Sequence, residues 1–218
     1  GSQDVSSNEM GAYTGEVSAS QLKSVGVKYT IIGHSERRKY HNDDRLIKDK
    51  LIIALNNNII PILCVGESKE ERDGGKTFDV LKHQIDEAFS LINKDLLLNV
   101  IVAYEPIWSI GTGTIPTNQD IYETITFIKK YLQKEYNITL KVLYGGSVNS
   151  KNILELEKIE NVNGYLIGGS SIRINEFIEI VLKGIKKIIY FIKQRFKNFK
   201  YEIKVPERKE RIKHLTFE

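Results

Sequence analysis

The sequence is poor in the residues that build cross-links and membrane spans. Its single cysteine, Cys64, excludes an internal disulfide and a cysteine-based metal site. A reducing compartment is the simplest reading of that scarcity. The longest unbroken apolar run covers residues 59–65, far short of the roughly 20 residues that a transmembrane helix needs. No apolar signal-peptide core stands at the start. No G-x-G-x-x-G and no Walker lysine motif is present, so nucleotide binding is not indicated. No short repeat is found. The only methionine is Met10, and the chain begins Gly1-Ser2.

What remains is an ordinary globular balance: 218 residues, 41% hydrophobic and 28% charged. The net charge of +4 comes from 32 basic and 28 acidic residues, and it is unevenly spread. From Lys186 onward there are 11 Lys or Arg and 4 Asp or Glu, a net of +7, which leaves 21 basic and 24 acidic residues before it, a net of −3. The body is therefore mildly acidic and gives no electrostatic hint of nucleic acid. Residues 186–218 read as a basic extension with interleaved Phe196, Phe199, Tyr201 and Phe217.

Strand-like apolar runs recur at 29–33, 59–65, 100–104, 140–144 and 164–168. They are near-continuous in Val, Ile and Leu, as in a parallel sheet buried on both faces. Helical spacing separates them. Residues 44–56 place Leu46, Ile47, Leu51, Ala54 and Leu55 on one face, and residues 76–91 do so with Phe78, Leu81, Ile85, Ala88 and Phe89. Residues 118–136 offer Ile121, Ile125, Ile128 and Leu132, with Thr117 as N-cap. A further helical pattern begins at Glu176. Strand and helix alternate through short connections, which predicts a parallel α/β fold, either a barrel or an open doubly wound sheet.

In such folds the chemistry lies at the carboxyl ends of the strands. The first run leads into His34, Ser35, Glu36, Arg37 and Arg38. A histidine held neutral at a helix start can donate a proton to a carbonyl oxygen; the plainer alternative is a structural histidine. The third run ends at Glu105-Pro106. A carboxylate beside apolar groups becomes a better general base; the plainer alternative is a rim carboxylate paired with an arginine. Residues 107–114 are apolar at one end and glycine-rich at the other, which suits a closing lid as well as an ordinary loop. Two runs end alike, in Gly145-Gly146-Ser147 and Gly168-Gly169-Ser170. Paired glycines at consecutive strand ends present N–H donors to a phosphate; the alternative is a pair of tight turns.

Six collinear motifs carry a family resemblance. They are Gly11-Ala12-Tyr13-Thr14-Gly15-Glu16-Val17-Ser18, Ile32-Gly33-His34-Ser35-Glu36-Arg37-Arg38, Leu63-Cys64-Val65-Gly66-Glu67, the stretch from Ala103 to Gly113, Tyr144-Gly145-Gly146-Ser147-Val148 and Gly164-Tyr165-Leu166-Ile167-Gly168-Gly169-Ser170. Together they resemble the triosephosphate isomerase family over residues 3 to about 185. The resemblance implies a (β/α)8 barrel and the interconversion of dihydroxyacetone phosphate and glyceraldehyde 3-phosphate without cofactor or metal. It implies Glu105 as the base, His34 as the neutral electrophile and Glu36 as a second carboxylate near the site. It implies residues 106–113 as the lid, and Gly111, Ser147, Gly168 and Gly169 as the phosphate-binding groups. It also implies a homodimer in which residues 11–18 interdigitate, with Thr14 reaching the partner's site and Glu16 facing the partner's Arg37.

The sequence departs from that pattern in three places. Asp43 stands where the family more often has glutamate, one methylene longer, which loosens interface packing. Gln3-Asp4-Val5-Ser6 resembles the end of the family's third strand, so about two and a half βα units of a typical barrel of about 250 residues have no counterpart here. Those units would carry the family's active-site Asn and Lys, so the chain alone is expected to be weakly active or inactive. Residues 186–218 extend beyond the family's usual end. An isomerase body over residues 1–185 is the leading expectation. The alternatives are a non-catalytic remnant that binds through its basic tail and another phosphate-handling barrel enzyme. No nucleic acid or membrane partner is expected. The expected compartment is the cytoplasm, with a plastid as the alternative.

Overall fold

The computed structural model describes residues 1–110 and 115–195, and side-chain surroundings up to residue 184. Four strands form one sheet: β1 (Tyr29–Ile32), β2 (Ile60–Val65), β3 (Ile101–Tyr104) and β4 (Lys141–Tyr144). They lie side by side in chain order and all pair in parallel. This is the parallel α/β class read from the sequence, with four strands where a closed barrel has eight.

The fifth apolar run forms no strand. It makes one bridge, Tyr165 to Tyr144, and a matching bridge joins Ser2 to Thr30 at the opposite edge. Each outer segment has a neighbour on one side only among the described residues, so it gains half the ladder of hydrogen bonds that an inner strand does. Ser2 takes part fully within that limit: its N–H donates to Tyr29 O at 2.8 Å, and its carbonyl accepts from Ile31 N at 3.0 Å.

The helices connect the strands. They are α1 (Ala19–Ser24), α2 (Ser35–His41), α3 (Ile47–Asn56), α4 (Lys69–Asp73), α5 (Thr77–Phe89), α6 (Lys94–Leu97), α7 (Asn118–Tyr136), α8 (Ile153–Leu156) and α9 (Ile174–Arg195). The expected helix at 44–56 is instead a 3-10 turn, Asp43–Leu46, followed by α3. Leu46 and Phe78 belong to the apolar faces that the spacing predicts, but both are exposed. Leu46 sits in the turn, out of the phase of α3. Phe78 stacks instead on Phe127 of α7, with ring centroids 4.2 Å apart. α7 begins and ends where its spacing predicts. Thr117 and Asp120 close a capping box at its start.

The pairing register sets Ile32, Leu63, Val102 and Val142 in one row across the sheet. All four are fully buried, in one cluster with Leu51 and Ala54 of α3, Leu81 and Ile85 of α5, and Ile121, Ile125 and Ile128 of α7. Each such Leu or Ile contributes about 1.5–3 kcal/mol relative to exposure. The next row on the opposite face, Ile31, Ile62, Ile101 and Lys141, is only partly covered. Toward the carboxyl ends of the strands that second face is covered as well: Cys64 and Ala103, paired across β2 and β3, are buried.

The backbone of α9 runs without a break to Arg195. Residues 196–218, most of the basic extension, lie outside the described residues. Among the described residues, no helix is long and apolar enough to cross a membrane.

Candidate active site

The carboxyl ends of β1, β3 and β4 and of the 164–168 run border a cavity of about 730 Å³, lined by His34, Glu36, Glu105, Ile110, Ser147 and the Gly168-Gly169 turn among others. Glu105 enters it directly from β3. Its backbone N–H donates to Val65 O at 2.8 Å, which locks it to the end of β2. Glycines make the seat. A Cβ on Gly66 would sit 1.7 Å from Glu105 O, and one on Gly145 would sit 2.9 Å from Glu105 Cγ. No larger residue fits either place without moving the base.

The Glu105 side chain is only 3% exposed. Oε2 accepts from the Ser35 N–H at 3.3 Å, and Oε1 lies 3.4 Å from His34 Nε2. Burial raises the pKa of the carboxyl above the ordinary glutamate value, and His34, Cys64, the Ser35 N–H and Arg38 pull against that rise without cancelling it. A carboxylate short of water and of full compensation is a stronger base than one in solution.

His34 is the N-cap of α2. Its Nδ1 accepts the Glu36 N–H at 3.3 Å. A nitrogen that accepts carries no proton, so this arrangement places the ring proton on Nε2, the atom that faces Glu105 and the cavity. Glu36 lines the same cavity, but its side chain is 72% exposed and stands 4.0 Å from Nδ1, outside hydrogen-bond distance.

On the far wall the Ser147 hydroxyl donates to Ser109 O at 2.7 Å. The N–H groups of Ser147, Gly168 and Gly169 have no acceptor among the described residues and border the cavity. Gly111 lies outside the described residues, as does the 111–113 part of the expected lid. Besides the bond from Ser147, residues 106–110 are anchored on Glu67: Trp108 Nε1 donates to Glu67 Oε1 at 3.0 Å, and Ile107 N donates to Glu67 O at 3.1 Å. Glu67 is fully buried and also accepts from Tyr104 Oη at 3.1 Å and Arg72 Nη1 at 3.3 Å. Sequence reasoning gave Gly66 and Glu67 no role of their own. Their place immediately after β2, at a strand end, was the signal available.

Thr14 and Glu16 lie on an exposed loop around a second, smaller concavity, and Glu16 is near enough to Arg37 of its own chain to help raise the guanidinium pKa. Arg37 is engaged by its own chain. It donates to both Asp43 oxygens, at 2.8 and 3.2 Å, and pairs with Asp4 at 2.9 Å. Among the described residues, no group of His, Cys, Asp and Glu is placed to hold a metal ion.

Comparison with known proteins gives a consistent result. The family model for triosephosphate isomerase matches residues 1–183. A triosephosphate isomerase of Vesicomyosocius okutanii subsp. Calyptogena okutanii (strain HA) is 44% identical over 184 residues, covering 83% of this chain and 74% of the relative. One from Alkaliphilus oremlandii (strain OhILAs) is 41% identical over 186 residues, covering 83% and 75%. One from Mycoplasmopsis pulmonis (strain UAB CTIP) is 42% identical over 180 residues, covering 82% and 70%.

Proposed function

The chain belongs to the triosephosphate isomerase family, and we propose that its site interconverts dihydroxyacetone phosphate and glyceraldehyde 3-phosphate. The observation that carries this is the approach of a buried carboxylate, Glu105, to the Nε2 of His34 inside a cavity bordered by N–H groups that have no acceptor among the described residues. The ketose lies with its carbonyl oxygen toward His34 Nε2–H and its C1 toward Glu105. Glu105 takes a proton from C1. The freed electron pair forms the C1–C2 double bond, and the carbonyl pair moves onto oxygen, where the Nε2–H stabilises the charge. Glu105 returns its proton to C2. The hydroxyl proton of O1 is relayed to O2 through His34, leaving the aldehyde at C1.

The N–H groups of Ser147, Gly168 and Gly169 hold the phosphate dianion, joined by Gly111. Glu36 acts from the cavity mouth as a second carboxylate. Residues 106–113 close over the bound sugar and exclude water. Two copies pair through residues 11–18, with Thr14 reaching the partner's site and Glu16 facing the partner's Arg37. The setting is glycolysis and gluconeogenesis in the cytoplasm.

The 218-residue chain assayed alone is expected to turn over slowly. Among the described residues, no lysine lines the cavity, and a missing group that stabilises developing charge costs about 10²–10³ in rate. Deuterium exchange into C1 of dihydroxyacetone phosphate in heavy water, followed by NMR, detects the proton abstraction even when net turnover is low. Exchange by the wild-type chain above that of Glu105→Gln supports the assignment. Equal exchange in the two refutes it, and turnover by the lone chain matching a full-length family enzyme refutes the expected weakness.

A further inference from the structure

The base and the electrophile hang on different strand ends, and one side chain ties those ends together. Arg38 lies one turn along α2 from His34, its N–H donating to His34 O at 3.0 Å. Its side chain, 14% exposed, turns back toward the start of the helix. Nε donates to Gly33 O at 2.8 Å, Nη2 donates to Cys64 O at 3.0 Å, and Nη1 pairs with Asp44. Gly33 O belongs to the peptide bond that leads into His34. Cys64 directly precedes Val65, the residue to which Glu105 N is bonded.

The last registered pair of β1 and β2 is Ile32 with Leu63. One step further along, at Gly33 and Cys64, the guanidinium fork takes over from the backbone ladder. Gly33 makes room for it: the residue has φ +74°, and a Cβ there would meet Arg38 Nη2 at 3.1 Å and Cys64 O at 3.3 Å. A lysine offers a single ammonium where the planar guanidinium reaches two fixed carbonyls at once.

We propose that Arg38 is a positioning residue for the isomerisation: its guanidinium clamps the carbonyls of Gly33 and Cys64 and thereby sets the approach of His34 Nε2 to Glu105 Oε1. This rests on the function proposed above. The groups that face Glu105 are His34 and Arg38 from α2 and its cap, Cys64 from β2, and the Ser35 N–H. Arg38 is the permanent cation among them, and it opposes the upward pull of burial on the Glu105 carboxyl.

The test uses the whole 218-residue chain with ¹³C-labelled glutamate, titrated by NMR alongside the deuterium exchange assay. In Arg38→Met the Glu105 carboxyl titrates at higher pH than in wild type, and exchange falls about 10²-fold, the cost of a misplacement near 1 Å, with little change in KM. Arg38→Lys restores the titration but leaves the exchange slow, since charge returns without the fork. Unchanged titration and unchanged exchange in Arg38→Met, with only a lower Tm, make Arg38 a plain structural brace and overturn the proposal. If Arg38→Met does not fold, wild-type exchange by folded Arg38→Lys overturns it equally. A wild-type chain that exchanges no deuterium sinks the proposed function instead, and the Glu105 titration in the same samples still decides what Arg38 does to the carboxylate.

Discussion

Replacing Lys50 with methionine removes a charge from the most enclosed ionic cluster among the described residues while nearly keeping the volume. Lys50 is 1% exposed. Its Nζ donates to both oxygens of Asp4 at 2.9 Å and to Asp43 Oδ2 at 2.6 Å. Arg37 bridges the same two carboxylates. Two cations thus balance two anions, and Lys50→Met leaves one guanidinium between two carboxylates. Breaking a buried pair in this way costs about 3–5 kcal/mol. Asp4 retains 22% exposure and Asp43 retains Arg37, so the lower end, about 3 kcal/mol, is expected. Urea unfolding reads this as a lower midpoint at unchanged slope. The double variant Lys50→Met/Asp43→Asn restores charge balance through Arg37 and Asp4. It should lose less than the sum of the single changes, by about 1–3 kcal/mol of coupling. A loss below about 1 kcal/mol for Lys50→Met, or strict additivity in the cycle, would refute the reasoning. The pH dependence gives a second check. Burial pushes the Asp43 pKa up, but the bonds from Arg37 and Lys50 together bring it below 3.8. A depressed folded pKa means that the contribution is present above the ordinary aspartate value and is lost as pH falls through the lower, folded one. That acid loss should shrink in Lys50→Met.

Gly66→Ala forces a Cβ to within 1.7 Å of a backbone oxygen; about 1–3 kcal/mol of stability is expected to go, and deuterium exchange with it, because the displaced backbone is that of Glu105. The Glu105 pKa is raised chiefly by burial, so the acid limb of kcat/KM should fall above the ordinary glutamate value of 4.5; a limb at or below it contradicts the buried seat. The same raised pKa favours the folded state at low pH, a contribution that fades as pH rises through the folded value. Thr117→Ala removes the acceptor for Asp120 N at 3.1 Å and should cost about 1 kcal/mol in thermal or urea unfolding with no change in KM.

Much of this architecture is legible in the residues. The four strands announce themselves as short runs rich in Val, Ile and Leu. α7 carries its apolar stripe and its cap in plain view. The run at 164–168 has the same composition as a strand, yet composition carries no information about how many neighbours a strand finds, and pairing on one side yields a single bridge. The helix start expected at His34 is present, but the extent of α2 had no signal: its seven residues, all polar or charged except Tyr40, include none that is buried, and its cap is a histidine rather than a residue usual at that place. His34 and Glu105 were found because they follow strands. Gly66 and Gly145 act by leaving space, and Arg38 acts on backbone carbonyls, so neither role has a side-chain partner that spacing reveals. Glu36 follows His34 by two and shares its motif, but its carboxylate points to solvent while its N–H holds the ring.

That last contact ties a reagent to a helix end. With Nδ1 engaged by an amide of the first turn of α2, the imidazole lone pair is tied up, and an alkylating agent that enters the cavity meets only the Nε2–H. Fraying of that turn would release the Nδ1 lone pair and free the ring to turn. The chemistry of His34 is thus coupled to the integrity of one short helix, and anything that loosens the helix start also unsettles the electrophile.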